Sequence, residues 1–200
     1  MFSHYLRKLD SIPRWVLIHS IKSQSVASHT AMVAIYVTEL MESYHSNWSA
    51  QKKYETLKAA LAHDAAEARM SDIPGPIKRD IRDPQKYEEF EQYVLYSMDM
   101  LHGWEIDEDA ALLIKVADLI DEYMFMRTEQ WLGNQTVDKV IRGADNCVEE
   151  RLKQAIINAG LGYDLFFVIA GAADAIGIQF EIPGASTRTL LSNLDTDIPF

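Results

Sequence analysis

The chain has 200 residues, 48% of them hydrophobic, which is enough for one buried core and about one domain. Nineteen Lys and Arg against thirty Asp and Glu leave a formal charge of −11, which repels nucleic-acid backbones and anionic membranes. Cys147 is the only cysteine, so an internal disulfide and a cysteine-rich zinc site are both excluded.

The opening "MFSHYLRKLDSIPRW" has no apolar stretch between a basic flank and a cleavage site, so no signal peptide is expected and a cytoplasmic location follows. Ser25 is a natural cap for a first long helix, with Val26, Val33, Tyr36, Val37 and Leu40 on one stripe. Ser49 starts the next helix, whose Leu57, Ala60 and Leu61 lead into "HDAAEARMSDIP" at residues 63–74. That stretch reads as a helix end carrying His63, Asp64, Glu67 and Asp72. Pro74, Gly75, Pro76 and Pro84 then give loop and turn chemistry. Asp83 and Pro84 start a helix to about Leu101.

Asp107 caps a further helix with Leu112, Leu113, Val116, Leu119, Ile120 and Tyr123 on its apolar face. "GNQT" at 133–136 breaks it, and another helix is expected to about Ala159. The segment "LFFVIAGAADAIGI" from Leu165 is too short to span a bilayer and contains Asp174, so it reads as a core helix. From Pro183 the composition turns to Ser, Thr, Asn and Asp. The expected fold is all-α, a single-domain helical bundle over residues 1–182 with a C-terminal tail at 183–200.

Four polar side chains stand out against this pattern: His29 on an apolar stripe, the adjacent His63 and Asp64, and Asp118 between Val116, Ala117, Leu119 and Ile120. A carboxylate there is costly to bury unpaired. Two imidazoles and two carboxylates suit an intermediate divalent ion such as Mn, Fe, Co, Ni or Zn, and would leave about two octahedral positions for water and substrate. The plainer alternative is that these histidines only pack, in a helical interaction module.

The pattern His29, His63-Asp64, Asp118 resembles the H…HD…D signature of the HD-domain metal-dependent phosphohydrolases, which are all-α. "RWVLIHSIKSQSVASHTAMVA" followed by "HDAAEARMSDIPGPIK" looks like the bacterial 5'-deoxynucleotidase branch, over roughly residues 5–125. The resemblance implies that His29, His63, Asp64 and Asp118 ligate a divalent ion (Co, Mn, Zn, Ni, Fe or Mg) and that Glu67 is catalytic. It places Arg14, Trp15 and Asp72 at the nucleotide pocket. One departure is Ser28, where the family usually has an acidic residue before the ligand histidine.

The activity so implied is hydrolysis of a 5'-deoxynucleoside monophosphate to deoxynucleoside and phosphate. The related phage dATP triphosphohydrolases share the core, so triphosphate release from a deoxynucleoside triphosphate is the alternative, and a non-catalytic nucleotide sensor is a further one. Arg14 has the planar fork that matches phosphoryl oxygens, with Lys78 and Lys115 as further phosphate contacts or mere surface charges. Trp15 against the sugar would leave no place for a 2'-hydroxyl. Asp72 either accepts from the 3'-hydroxyl or caps the turn at Pro74. A second ion bridged by Glu67 or Asp72 stays open, a two-metal cyclic-nucleotide phosphodiesterase is disfavoured by the scattered His4, His19, His45 and His102, and a homo-oligomer is expected from the resemblance. Neither a nucleic-acid polymer nor a membrane is an expected partner.

Overall fold

Three helices begin where the sequence supplies a side-chain cap. In the computed structural model, which describes residues 7–80, 84–97, 106–143 and 147–179, helix α1 spans Val26–Tyr44. The Ser25 hydroxyl accepts from the Ser28 amide at 3.1 Å, and the Ser28 hydroxyl accepts from the Ser25 amide at 3.1 Å, a reciprocal capping box. Helix α2, Ala50–Ala60, is capped by Ser49. Short helices α3 (Glu67–Met70) and α4 (Gly75–Asp80) follow, then α5 (Pro84–Ser97). Helix α6, Glu108–Trp131, starts on the Asp107 carboxylate, which accepts from the Ala110 amide at 3.0 Å. Helices α7 (Val148–Asn158) and α8 (Asp164–Gln179) complete the described elements.

Helix α6 is the axis of the bundle, with α1, α7 and α8 packed on it and α2 behind α1. Its Leu113, Val116, Leu119, Tyr123 and Met126 are buried against Val33, Val37 and Leu40 of α1 and Leu152 and Ile156 of α7. Each such aliphatic side chain contributes about 1.5–3 kcal/mol on burial. Truncating one to alanine would cost about 2–5 kcal/mol. Among the described residues there is no strand beyond an isolated antiparallel bridge between Pro13 and Ser25. No helix there is long and apolar enough to cross a membrane.

Two expectations need correction. Helix α2 ends at Ala60, so His63 and Asp64 do not sit on a helix. Residues 61–66 are successive turns, in which Ala62 donates to Ala59, Ala65 to Ala62 and Glu67 to Asp64, each amide at 3.0 Å. Small Ala62, Ala65 and Ala66, all buried, let this tight winding pack closely. The second correction concerns the helix expected after "GNQT". It is instead a 3-10 turn at Gln135–Val137, a π turn at Lys139–Gly143, and then α7 from Val148. Val137 and Ile141, both fully buried, keep a four-residue spacing without one continuous helix, and Cys147 is extended. The Asp83 cap, residues 98–101 and the tail from 183 lie outside the described residues.

Before α1 the chain makes a strap over one end of α6. Its two legs are joined where the Arg14 amide donates to the Gln24 carbonyl at 2.9 Å and the Val26 amide to the Ile12 carbonyl at 2.9 Å. Its tip is held by Glu129, a fully buried carboxylate that accepts from the Ile21 and Lys22 amides at 2.6 and 2.7 Å. Asn134 links the same carboxylate to the His19 carbonyl.

Candidate active site

His29 is fully buried on α1, and its Nδ1 lies 2.6 Å from Asp121 Oδ2 on α6. A ring N–H donated to a carboxylate fixes the tautomer and points the lone pair of Nε2 away from it. That Nε2 lies 3.2 Å from His63 Nε2, 3.5 Å from Asp64 Oδ2 and 3.3 Å from Asp118 Oδ1. His63 is oriented in the same way: its Nδ1 lies 2.8 Å from the Ala60 carbonyl, an oxygen that only accepts, which leaves Nε2 as an acceptor 3.3 Å from Asp64.

Two imidazole lone pairs and the Asp64 carboxylate therefore face one point, with Asp118 beside His29. Ligands about 2.0–2.2 Å from a metal ion stand about 3.0–3.5 Å from one another, so these separations fit a single divalent ion. His29, His63 and Asp64 offer atoms all within 4.8 Å of one another. Asp118 joins from the α6 side, its other oxygen taking a 2.6 Å contact from Lys115 Nζ.

Electrostatics agree with a cation-seeking cluster. Burial works against a charged His63, but the neighbouring Asp64 outweighs it and raises the imidazole to about 9. Burial would raise Asp64 and Asp118, yet the His63 and His29 rings hold Asp64 below the usual carboxylate range, and His29 and Lys115 do the same for Asp118. In the absence of metal the His63 ring holds a second proton, which an incoming ion would displace.

A cavity of about 540 Å³ opens in front of this cluster, a size usual for small-molecule sites. Its walls include Arg14, Trp15, Asp64, Glu67, Asp72, Lys78, Lys115 and Asp118, so these sequence-predicted residues share one space. Glu67 is buried; one oxygen is 3.6 Å from Lys78 Nζ and the other has no hydrogen-bond partner. Burial, and then the charges of Asp64 and Asp72, push its carboxyl up to about 8 against the pull of Lys78 and Arg14. Asp72 is likewise raised, first by burial. It follows Ser71, a non-glycine residue at φ 66° and ψ 166°.

Trp15 also has positive φ, at 66°. Its ring stacks on Phe125 of α6 with centroids 5.4 Å apart and planes 4° from parallel, and its Nε1 donates to Gln24 at 2.8 Å. Gln24 in turn donates to Asp121 at 2.8 Å. Arg14 approaches the same carboxylate at 3.6 Å.

Sequence reasoning missed Asp121, Gln24, and the Glu122–Arg151 pair that also lines the cavity. Asp121 left a signal: with Asp118 it forms an i, i+3 pair of carboxylates on an otherwise apolar helix. Gln24 left none. Of the remaining histidines, His45 stacks on Trp48 away from the site, and His4 and His102 lie outside the described residues.

Comparison with known proteins follows the same lines. The family described as 5'-deoxynucleotidase YfbR-like matches residues 1–159. The 5'-deoxynucleotidase YfbR of Salmonella typhi is 27% identical over 150 residues, covering 66% of this chain and 74% of that protein. A 5'-deoxynucleotidase of Photorhabdus laumondii is 24% identical over 168 residues, covering 76% and 85%. Among solved structures, the cyanophage S-2L HD phosphohydrolase DatZ, bound to dA and one catalytic Zn2+ ion, superposes with a TM-score of 0.60 at 15% identity, covering 88% of this chain and 96% of that one. A Pyrococcus horikoshii protein also gives 0.60, at 20% identity over 80% and 96%. The helical bundle is the HD phosphohydrolase fold, and the chain belongs to the YfbR-like 5'-deoxynucleotidase family.

Proposed function

We propose that the protein hydrolyses 5'-deoxynucleoside monophosphates to deoxynucleoside and orthophosphate, with a divalent ion held by His29, His63, Asp64 and Asp118. The observation that carries this reading is the convergence of two oriented imidazole nitrogens and the Asp64 carboxylate, with Asp118 beside His29, at a cavity lined by Asp64, Asp118, Glu67, Arg14 and Lys78. When bound, such an ion supplies charge stabilisation at a phosphoryl oxygen and a lowered pKa for water. The mixed nitrogen and oxygen donors suit Mn, Fe, Co, Ni or Zn.

The chain's own groups do the rest. Water adds to phosphorus as the bond to the 5'-oxygen breaks. Glu67, which lines the cavity and keeps one oxygen without a hydrogen-bond partner, is the group that gives or takes the proton at the reacting oxygens. Arg14 and Lys78 neutralise the other phosphoryl oxygens, and Lys115 holds Asp118 in place. Trp15, locked between Phe125 and Gln24, is the wall on which the sugar lies, and Asp72 accepts from the 3'-hydroxyl. A 2'-hydroxyl desolvated there without a partner costs about 1–3 kcal/mol, or roughly ten- to a hundredfold in selectivity.

The test is a product assay with Co or Mn on dAMP, AMP and dATP. Deoxyadenosine and orthophosphate from dAMP, with AMP at least tenfold slower, are expected. Triphosphate released from dATP would replace this reading with a triphosphohydrolase, and no product from any of them with a nucleotide sensor. The partner besides substrate is a second copy of the chain, which light scattering would detect. A cytoplasmic setting fits the single buried thiol of Cys147.

A further inference from the structure

One buried carboxamide serves two parts of the site at once. Gln24 stands on the second leg of the strap, where its carbonyl accepts from the Arg14 amide at 2.9 Å. Its side-chain Oε1 accepts from Trp15 Nε1 at 2.8 Å, with Arg14 Nη1 further off at 3.5 Å. Its Nε2 donates to Asp121 Oδ2 at 2.8 Å, and the same oxygen lies 2.6 Å from His29 Nδ1. These partners admit one orientation of the amide, because an indole N–H only donates and a carboxylate only accepts. A glutamate here would bring no donor to Asp121, and an apolar residue would bring neither group. Trp15 needs such a hold. A bulky residue at φ 66° is strained and keeps that backbone only where its surroundings fix it. Phe125 stacks on the ring with planes 4° from parallel, which resists tilting but not sliding within the plane. The indole N–H lies in that plane, so its bond to Gln24 is what stops the slide.

We propose that Gln24 is a positioning residue for deoxyribose selection, acting through Trp15 by fixing the ring edge that excludes a 2'-hydroxyl. The proposal rests on the deoxynucleotidase reading above, in which the sugar lies on this ring. Trp15 lines the cavity and Gln24 does not, so the discrimination is set by a side chain behind the wall. The bond to Asp121 pins the far side of the amide to α6. The ring edge is thereby referred to the helix that carries Asp118, and not to a strap whose Val16 and Leu17 are exposed. A ring free to slide clears the space that a hydroxyl needs, and the site then takes ribonucleotides as well.

The experiment compares kcat/KM for dAMP and AMP, with Mn, in native protein, Gln24→Met and Gln24→Asn. Alongside it, NMR follows exchange of the Trp15 indole N–H in metal-free protein, the signal being assigned through Trp15→Phe. Methionine matches glutamine in length without its amide. Asparagine is too short to span both partners, and it carries the test if the methionine variant does not fold. Loss of the Asp121 bond weakens both nucleotides alike, so the dAMP/AMP ratio isolates the effect on Trp15. A native ratio of about ten or more should fall to within about threefold of unity in Gln24→Met, and in the same direction in Gln24→Asn. The indole proton should exchange about tenfold faster in both. Glu129→Gln loosens the tip of the strap without touching Gln24 and should keep the native ratio. A native ratio kept in both Gln24 variants, or lost equally in Glu129→Gln, would overturn the proposal. The two failures are distinct. Turnover of dAMP with an unchanged ratio removes the role of Gln24 alone, whereas turnover of no deoxynucleotide by native protein removes the reading beneath it and the proposal with it.

Discussion

Two walls of the cavity are made in opposite ways. One wall is α1 and α6, long regular helices whose buried faces set His29, Asp118 and Asp121 by helical period alone. The other is residues 61–80, a run of turns and short helices that delivers His63, Asp64, Glu67, Asp72 and Lys78 within sixteen positions. A straight helix over the same positions would turn Asp72 about 180° away from His63, so helical period alone does not bring all five groups to one cavity. That crowding needs irregular backbone, and the cost appears as positive φ at Ser71 beside Asp72.

The largest expected effect lies on the irregular wall. Glu67→Gln should lower turnover about 10²–10⁴-fold while the metal content of the purified protein stays unchanged. Retained turnover would mean that this wall only binds. Next comes the regular wall: Asp121→Asn removes the carboxylate that orients His29 and should weaken metal affinity about 10–100-fold in a competition titration. An unchanged affinity would mean that the helices alone orient the ring.

The backbone contrast itself is tested by Ser71→Gly. Relief of the strained conformation should stabilise the protein by about 1 kcal/mol, and the freed Asp72 should raise KM more than it lowers kcat. A loss of stability would show that Ser71 is not strained.

The last effect is in pH dependence and is read as stability, not turnover. Glu67 in the folded, metal-free protein is raised from 4.5 to about 8, so between those values the folded state holds a proton that the unfolded chain has released. Stability should therefore fall as pH rises through that window, by at most about 1.4 kcal/mol per unit. Glu67→Gln should flatten that part of the profile in denaturant titrations.

The same contrast governs what the sequence reveals. His29 and Asp118 are legible because each interrupts an apolar stripe whose register Ser25 and Asp107 anchor. His63, Asp64 and Glu67 are legible as a cluster, although the helix expected to carry His63 and Asp64 gives way to turns before Glu67 opens α3. Ala59, Ala60, Ala62, Ala65 and Ala66 favour helix locally, and nothing in them shows that hydrogen bonds shorten to three residues. Glu122 and Arg151 were invisible as a pair, because residues 29 positions apart meet only once α7 lies on α6.

The strap over α6 behaves in one respect like core. Ile21 is more than half exposed, yet its amide and that of Lys22 are donated to a carboxylate with no contact with solvent. Their amide protons should exchange with deuterium as slowly as those of α6 itself, through opening of the whole bundle rather than of a surface loop. The wall carrying Arg14 and Trp15 is thereby tied to the fate of the axis helix, and the pocket it shapes persists for as long as the protein remains folded.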